Sequence, residues 1–425
     1  MKRIIFLFFL AFEFSADLVL EITESAIKPI KIAILEKNSN SFKGQEIINV
    51  ISNDLKRTGE FRVLGIDELL SIPMNEDEVI QRDWLLLDVD SIIFIEVLDE
   101  DNALDVAYSI FDVSYNEIED KRKVLGLPDS LRQSSHYVSD GIYEYFYGIE
   151  GISSTKLMYV TRNADMHKLI ISDADGFNEE VLLKSNNSII SPAWSTDAKE
   201  IAYVSFENNR AQVFTQNLAT GQRSLILSSK SSVSSPAWSP NNKDLAFTST
   251  KDGNSEIYTI NLKSKKITRL TENLAIDTEP AWSPDGRKII FTSDRSGSPQ
   301  IYEIDVRSKL KRRLTTEGSY NARASYLDKS EIIFVHRSNS DFNIAKLDLS
   351  SRNLEVLTST KNDESPCIAP NGNVIIYSTK EGNLSYLAGV NISSKVSFKL
   401  PALYGELKEP AWSCLLYTSD AADEL

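Results

Sequence analysis

Glu279-Pro280-Ala281-Trp282-Ser283-Pro284-Asp285-Gly286-Arg287-Lys288-Ile289-Ile290-Phe291-Thr292-Ser293 is the stretch that decides the fold. Its centre, Pro280-Ala281-Trp282-Ser283, recurs as Pro192-Ala193-Trp194-Ser195, Pro236-Ala237-Trp238-Ser239 and Pro410-Ala411-Trp412-Ser413. Degenerate copies stand at Ser325-Tyr326 and Cys367-Ile368. The anchors Trp194, Trp238, Trp282, Tyr326, Ile368 and Trp412 are therefore 44, 44, 44, 42 and 44 residues apart. A period in the forties with strand-like text inside each unit predicts a six-bladed β-propeller.

The third unit reads as one blade. Residues 279–283 form a first strand, and Pro284-Asp285-Gly286 a tight turn in which proline fixes φ and glycine accepts a positive one. Residues 288–293, 300–305 and 312–315 supply three more strands. The segment from Lys156 to Leu183 has the second, third and fourth strands of such a unit but no Trp strand, whereas residues 409–413 are a Trp strand with no blade after it. Joining the two completes a sixth blade and closes the ring without end caps. The tryptophans Trp194, Trp238, Trp282 and Trp412 are read as structural anchors wedged between blades.

Working outward, residues 31–150 read as a mixed α/β domain. Strands are expected at 31–35, 61–64, 92–97 and 104–113, and helices at 44–59, 83–89 and 131–147, with Gly59 as a C-terminal cap. Residues 17–30 alternate weakly as an N-terminal strand segment, with Leu18, Leu20 and Ile22 on one side. Lys2-Arg3, the apolar run at 4–12 and the small pair Ser15-Ala16 have the order of a secretory signal over residues 1–16; the other readings are an N-terminal anchor or a buried strand. The propeller is bounded at 156–413. Residues 414–425 fit no blade and read as a non-native tail.

Composition narrows the function. The chain has 425 residues and a net charge of -15, which opposes phosphate backbones and makes nucleic acid a poor partner. Only two cysteines are present, Cys367 and Cys414, so no disulfide framework holds the fold. No Gly-x-Ser-x-Gly elbow is found. His136, His167 and His336 lie in the α/β domain and in two separate propeller segments, so no metal site and no cofactor is expected. Asp173-Ala174-Asp175-Gly176 lacks the twelfth-position Glu of a calcium loop and reads as a turn. The alternative class is a periplasmic propeller enzyme such as a polysaccharide lyase, which requires a histidine cluster in the central channel.

The repeat text from Glu279 to Arg295 with Gln300-Ile301-Tyr302 resembles the TolB family. So do Ser52-Asn53-Asp54-Leu55-Lys56-Arg57-Thr58-Gly59-Glu60-Phe61, Ile344-Ala345-Lys346-Leu347-Asp348-Leu349 and the run from Asp363 to Gly372. The likeness spans residues 1 to 413. The fourth repeat departs from it, with Tyr326 for Trp and Asp328-Lys329-Ser330 for Pro-Asp-Gly. The resemblance implies a non-enzymatic periplasmic adaptor of the Tol-Pal system, supporting outer-membrane integrity and invagination during division. It implies binding of the lipoprotein Pal through a propeller face and of TolA through the N-terminal segment carrying Leu18, Leu20 and Ile22. Other outer-membrane proteins are further partners, and the membrane is met only through partners. By position in the motif, Ser234, Thr278 and Glu279, in the loop before the Trp strand, are the Pal candidates; ordinary capping of the strand is the rival reading of all three. The N-terminal strand has two readings as well, packing on its own domain or adding to a partner sheet.

Overall fold

The computed structural model describes residues 20–21, 26–38, 41–100, 103–126, 130–401 and 405–414. The stretch 1–16 expected as a secretory signal, Leu18 and Ile22 of the expected N-terminal strand, and residues 415–425 of the expected tail lie outside the described residues.

Two units follow one another along the chain. In the first, a five-stranded sheet has the order Phe61–Val63, Ile30–Glu36, Ser91–Glu100, Ala103–Asp112, Glu117–Val124. The first three strands are parallel and the last two extend the sheet as antiparallel hairpins. Helices α1 (Phe42–Thr58) and α2 (Gln81–Leu86) belong to this unit, as does α3 (Leu131–Tyr147). The Ser41 hydroxyl caps α1 by accepting from the Gly44 N–H at 2.9 Å, and Gly59 ends it in the left-handed region at φ 68°. Ile47, Ile51 and Leu55 of α1 and Val138, Ile142 and Tyr143 of α3 bury one face of the sheet. Trp84 of α2 and the loop residues around it cover the other.

The second unit is a ring of six four-stranded blades. Blades one to four occupy residues 189–228, 233–269, 277–313 and 320–356, and blade five occupies 364–399. Blade six takes its first strand, Glu406–Trp412, from the far end of the chain and its other three from residues 156–185. Trp412 lies opposite Leu157 and Ala411 opposite Met158, so the ring is closed by the C-terminal strand. Trp412 and Tyr159 share one buried cluster. Tryptophan also stitches blades together by hydrogen bonding: the indole N–H of Trp194, Trp238 and Trp282 donates to the carbonyls of Ala411, Ala193 and Ala237 in the preceding blade at 3.1, 3.3 and 3.2 Å. In blade four the Tyr326 hydroxyl donates instead to Glu303 of blade three, at 3.0 Å. A second ring of aromatic side chains, Tyr159, Tyr203, Phe247, Phe291, Phe334 and Tyr377, fills the middle of the second strands.

The N-terminal residues add to this disc. Leu20–Glu21 pairs antiparallel with Ser397–Lys399, the outer strand of blade five, as a fifth strand of that sheet. The Ala26 N–H donates to the Ser394 carbonyl at 3.2 Å. Beside this strand the end of α1 meets blade five, where the Ser394 hydroxyl donates to the Thr58 carbonyl at 2.7 Å. A Cβ on Gly59 would lie 2.3 Å from the Val396 side chain. Gly59→Val combines a left-handed backbone penalty with overpacking of this seam. It is expected to cost roughly 2–4 kcal/mol, read by urea denaturation.

Candidate functional site

Each first strand runs along the central channel and carries a bulge at the same place. The bulged residue is Ser191, Ser235, Glu279, Arg323, Ser365 or Glu409, with φ of 53°, 52°, 56°, 54°, 53° and 52°. None is glycine, and all but Arg323 precede a proline. Six strained residues in one ring hold their side chains at the channel mouth rather than in the ladder. They line a cavity of about 180 Å³ together with the prolines that follow them.

Three of the six are charged, and they form one network. Arg323 Nε lies 3.1 Å from Glu279 Oε1 and Arg323 Nη2 lies 3.6 Å from Glu409 Oε1. Arg323 Nη1 donates to the Ser365 hydroxyl at 2.6 Å. The Thr292 hydroxyl and the Arg323 backbone N–H both donate to Glu279 Oε2, at 2.8 and 3.1 Å. The Ser191 backbone N–H donates to Glu409. Blades one, three, four, five and six are thus tied across the axis. Burial opposes the charge of Arg323, but Glu279, Glu409 and Glu364 overcome it and raise its pKa. The mouth, with two carboxylates and one guanidinium, is a polar recognition surface that carries excess negative charge.

The sequence-derived residues sit here with one correction. Ser234 and Thr278 are not in a loop before the Trp strand; they lie within the first strands Val233–Trp238 and Asp277–Trp282, the second of which also holds Glu279, the expected start of the strand in that blade. Ser234 pairs with Thr248 and Thr278 with Thr292, just before each bulge. The Thr248 hydroxyl reaches Thr278 at 3.4 Å and so joins blades two and three. Arg323 and Glu409 were not singled out from sequence; the signal that finds them is the repeat register itself, 44 residues after Glu279 and 44 after Ser365.

Among the described residues, one group of metal-ligating type comes together, Asp54, His136 and Asp175. It is buried where α1 and α3 meet blade six. Arg132 already donates to Asp175 Oδ2, and Arg57 lies 3.4 Å from Asp54, so cationic side chains occupy the cluster. His167 and His336 stand on blades six and four, and neither belongs to this group; His336 Nδ1 is 2.7 Å from Asn321 Oδ1. Cys367 and Cys414 are both unpaired. No helix among the described residues is long and apolar enough to cross a membrane.

Residues 143–416 match the family model of the TolB beta propeller domain, and residues 18–118 that of the TolB amino-terminal domain. The chain belongs to the TolB family. Relatives include the Tol-Pal system protein TolB of Pseudomonas aeruginosa, 48% identical over 393 residues and covering 91% of each chain. The Tol-Pal system protein TolB of Nitrosococcus oceani is 47% identical over 406 residues, 94% of each chain. Among solved structures, TolB from Acinetobacter baumannii superposes with a TM-score of 0.85 at 35% identity, covering 94% of this chain and all of that one. The TolB assignment extends over both units and the seam between them.

Proposed function

We propose that this chain is a non-enzymatic, periplasmic adaptor of the Tol-Pal system. It binds the lipoprotein Pal at the channel-mouth face of the propeller and TolA through the N-terminal segment containing Leu20. In this way it supports outer-membrane integrity and invagination during division. The observation that carries the reading is the ring of six strained bulges at the mouth of a closed, rigid disc. Backbone strain of this kind collects where a surface is built for recognition. Ser234 and Thr278 flank the ring, and Glu279 is part of it. The docked strand supports the second half of the reading, because a segment held through backbone pairing on one sheet edge has the form needed to pair with another.

The test is titration calorimetry with the soluble domain of Pal. Ser234→Lys and Thr278→Lys, which project bulk beside the ring without removing its ion pairs, are expected to weaken binding by at least about tenfold, or ~1.4 kcal/mol each. Unchanged affinity in both variants removes this face as the Pal site. Absence of binding by the unaltered protein overturns the adaptor reading itself.

A further inference from the structure

The α/β domain touches the propeller along two seams of different chemistry. Over blade five the contacts are hydrogen bonds: Asn373 Nδ2 donates to Tyr143 OH at 3.0 Å and to Glu60 Oε1 at 2.9 Å, and the Ser394 hydroxyl donates to the Thr58 carbonyl. Over blade six the contacts are ionic and buried. Here α1 supplies Asp54 and Arg57, α3 supplies Arg132, His136 and Asp140, and blade six supplies Lys156, Asp173 and Asp175.

His136 stands at the centre and is fully buried. Its Nδ1 lies 2.6 Å from Asp54 Oδ2, which also accepts from the Ser139 hydroxyl at 2.9 Å. Its Nε2 has no partner within hydrogen-bonding distance and faces two carboxylates of the other domain, Asp173 Oδ2 and Asp175 Oδ2, each 3.8 Å away. A buried ring nitrogen aimed at two carboxylates is stabilised by carrying a proton. Counting the ionised groups supports this. Asp54, Asp140, Asp173 and Asp175 oppose Arg57, Arg132 and Lys156, so a charged ring brings four negative groups into balance with four positive ones. A divalent ion at the same place would add to three cations, and Arg132 already holds the Asp175 oxygen it would need.

We infer that His136 is held as an imidazolium whose two N–H groups join Asp54 to the Asp173–Asp175 pair, making blade six the fixed joint between the domains and leaving the blade-five seam as the side that opens. Burial opposes the ring's charge, but Asp54 leads the groups that overcome it, and the pKa is pushed up to about 10. The sign follows: a raised histidine pKa gives stability that is complete below the ordinary imidazole value and is lost as pH rises through about 10. Asp140, raised by burial to about 6, is ionised above that value.

The full chain, labelled with ¹⁵N-histidine, tests the inference by NMR, with His136 assigned from His136→Gln. At pH 8 both ring nitrogens are expected to be protonated, with loss of the proton centred near 10. A neutral ring at pH 8, or ring shifts that EDTA alters because a metal is bound, overturns it. Hydrogen exchange provides the second measurement. Ser397→Pro, which acts on the blade-five edge, is expected to speed exchange at Leu20–Glu21 and Ala26, which pair with that edge, by about tenfold while residues 132–140 and 173–178 keep their protection. Loosening of both regions together overturns the division into a fixed and an opening seam. Neither readout contains a partner protein, so both stand apart from the Pal and TolA assignments.

Discussion

Trp412→Ala is expected to lower the stability of the propeller by about 3–5 kcal/mol. The side chain is only 8% exposed and packs with Tyr159, Ile376, Phe398 and Leu407 where blades five and six meet. Its indole N–H donates to the Thr155 hydroxyl at 2.7 Å, so truncation also orphans a buried polar partner. Trp282 is partly exposed and lies within a continuous stretch of chain, so Trp282→Ala is expected to cost less. A chain ending at Gly405 loses the whole strand Glu406–Trp412 and strips Lys156–Asn163 of its inner neighbour. Its expected behaviour is loss of a single cooperative urea transition. Equal destabilisation by the two tryptophan variants, or cooperative unfolding of the truncated chain, would contradict the closure argument.

Ser397→Pro is expected to free the N-terminal strand and, on the proposed function, to tighten binding of TolA by about tenfold, the gain available when a mostly closed segment becomes open. The Leu400 N–H donates inward to the Leu387 carbonyl at 2.9 Å, so by alternation Ser397 and Lys399 direct theirs outward, toward the N-terminal strand. Proline at 397 removes an outward donor while leaving the inner ladder intact, the situation in which an edge strand tolerates it. Calorimetry with TolA and hydrogen exchange at Leu20–Glu21 and Ala26 are the measurements. Faster exchange without tighter binding would mean that docking and TolA recognition use different residues.

Much of this molecule was readable from its residues, and for identifiable reasons. The Trp anchors repeat because each bridges to the blade before it, and the same contact must be made at every blade boundary. The helix over Leu131–Tyr147 has the bounds its apolar face gives it. The helix expected at 83–89 forms earlier, at Gln81–Leu86, and α1 starts at Phe42, two residues before its expected start. The strand Glu117–Val124 was missed because it is an exposed edge bearing Glu117, Glu119, Asp120, Lys121, Arg122 and Lys123; its charges suit an unpaired edge and hide the period of two. The bulges were missed because nothing local announces them: Ser, Glu and Arg occupy a backbone region usually marked by Gly or Asn. His136 looked solitary because its partners are 82 residues before it and 37 and 39 after it, brought together only when the two units dock.

The sixth blade has a consequence for biogenesis. Three of its strands are translated long before the fourth, with five complete blades between them. A nascent chain emerging from its N-terminus can form local hairpins but has no finished toroid until its last strand arrives. Ring closure therefore waits for the arrival of the last strand, and a polypeptide lacking it exposes the apolar flank of residues 157–160.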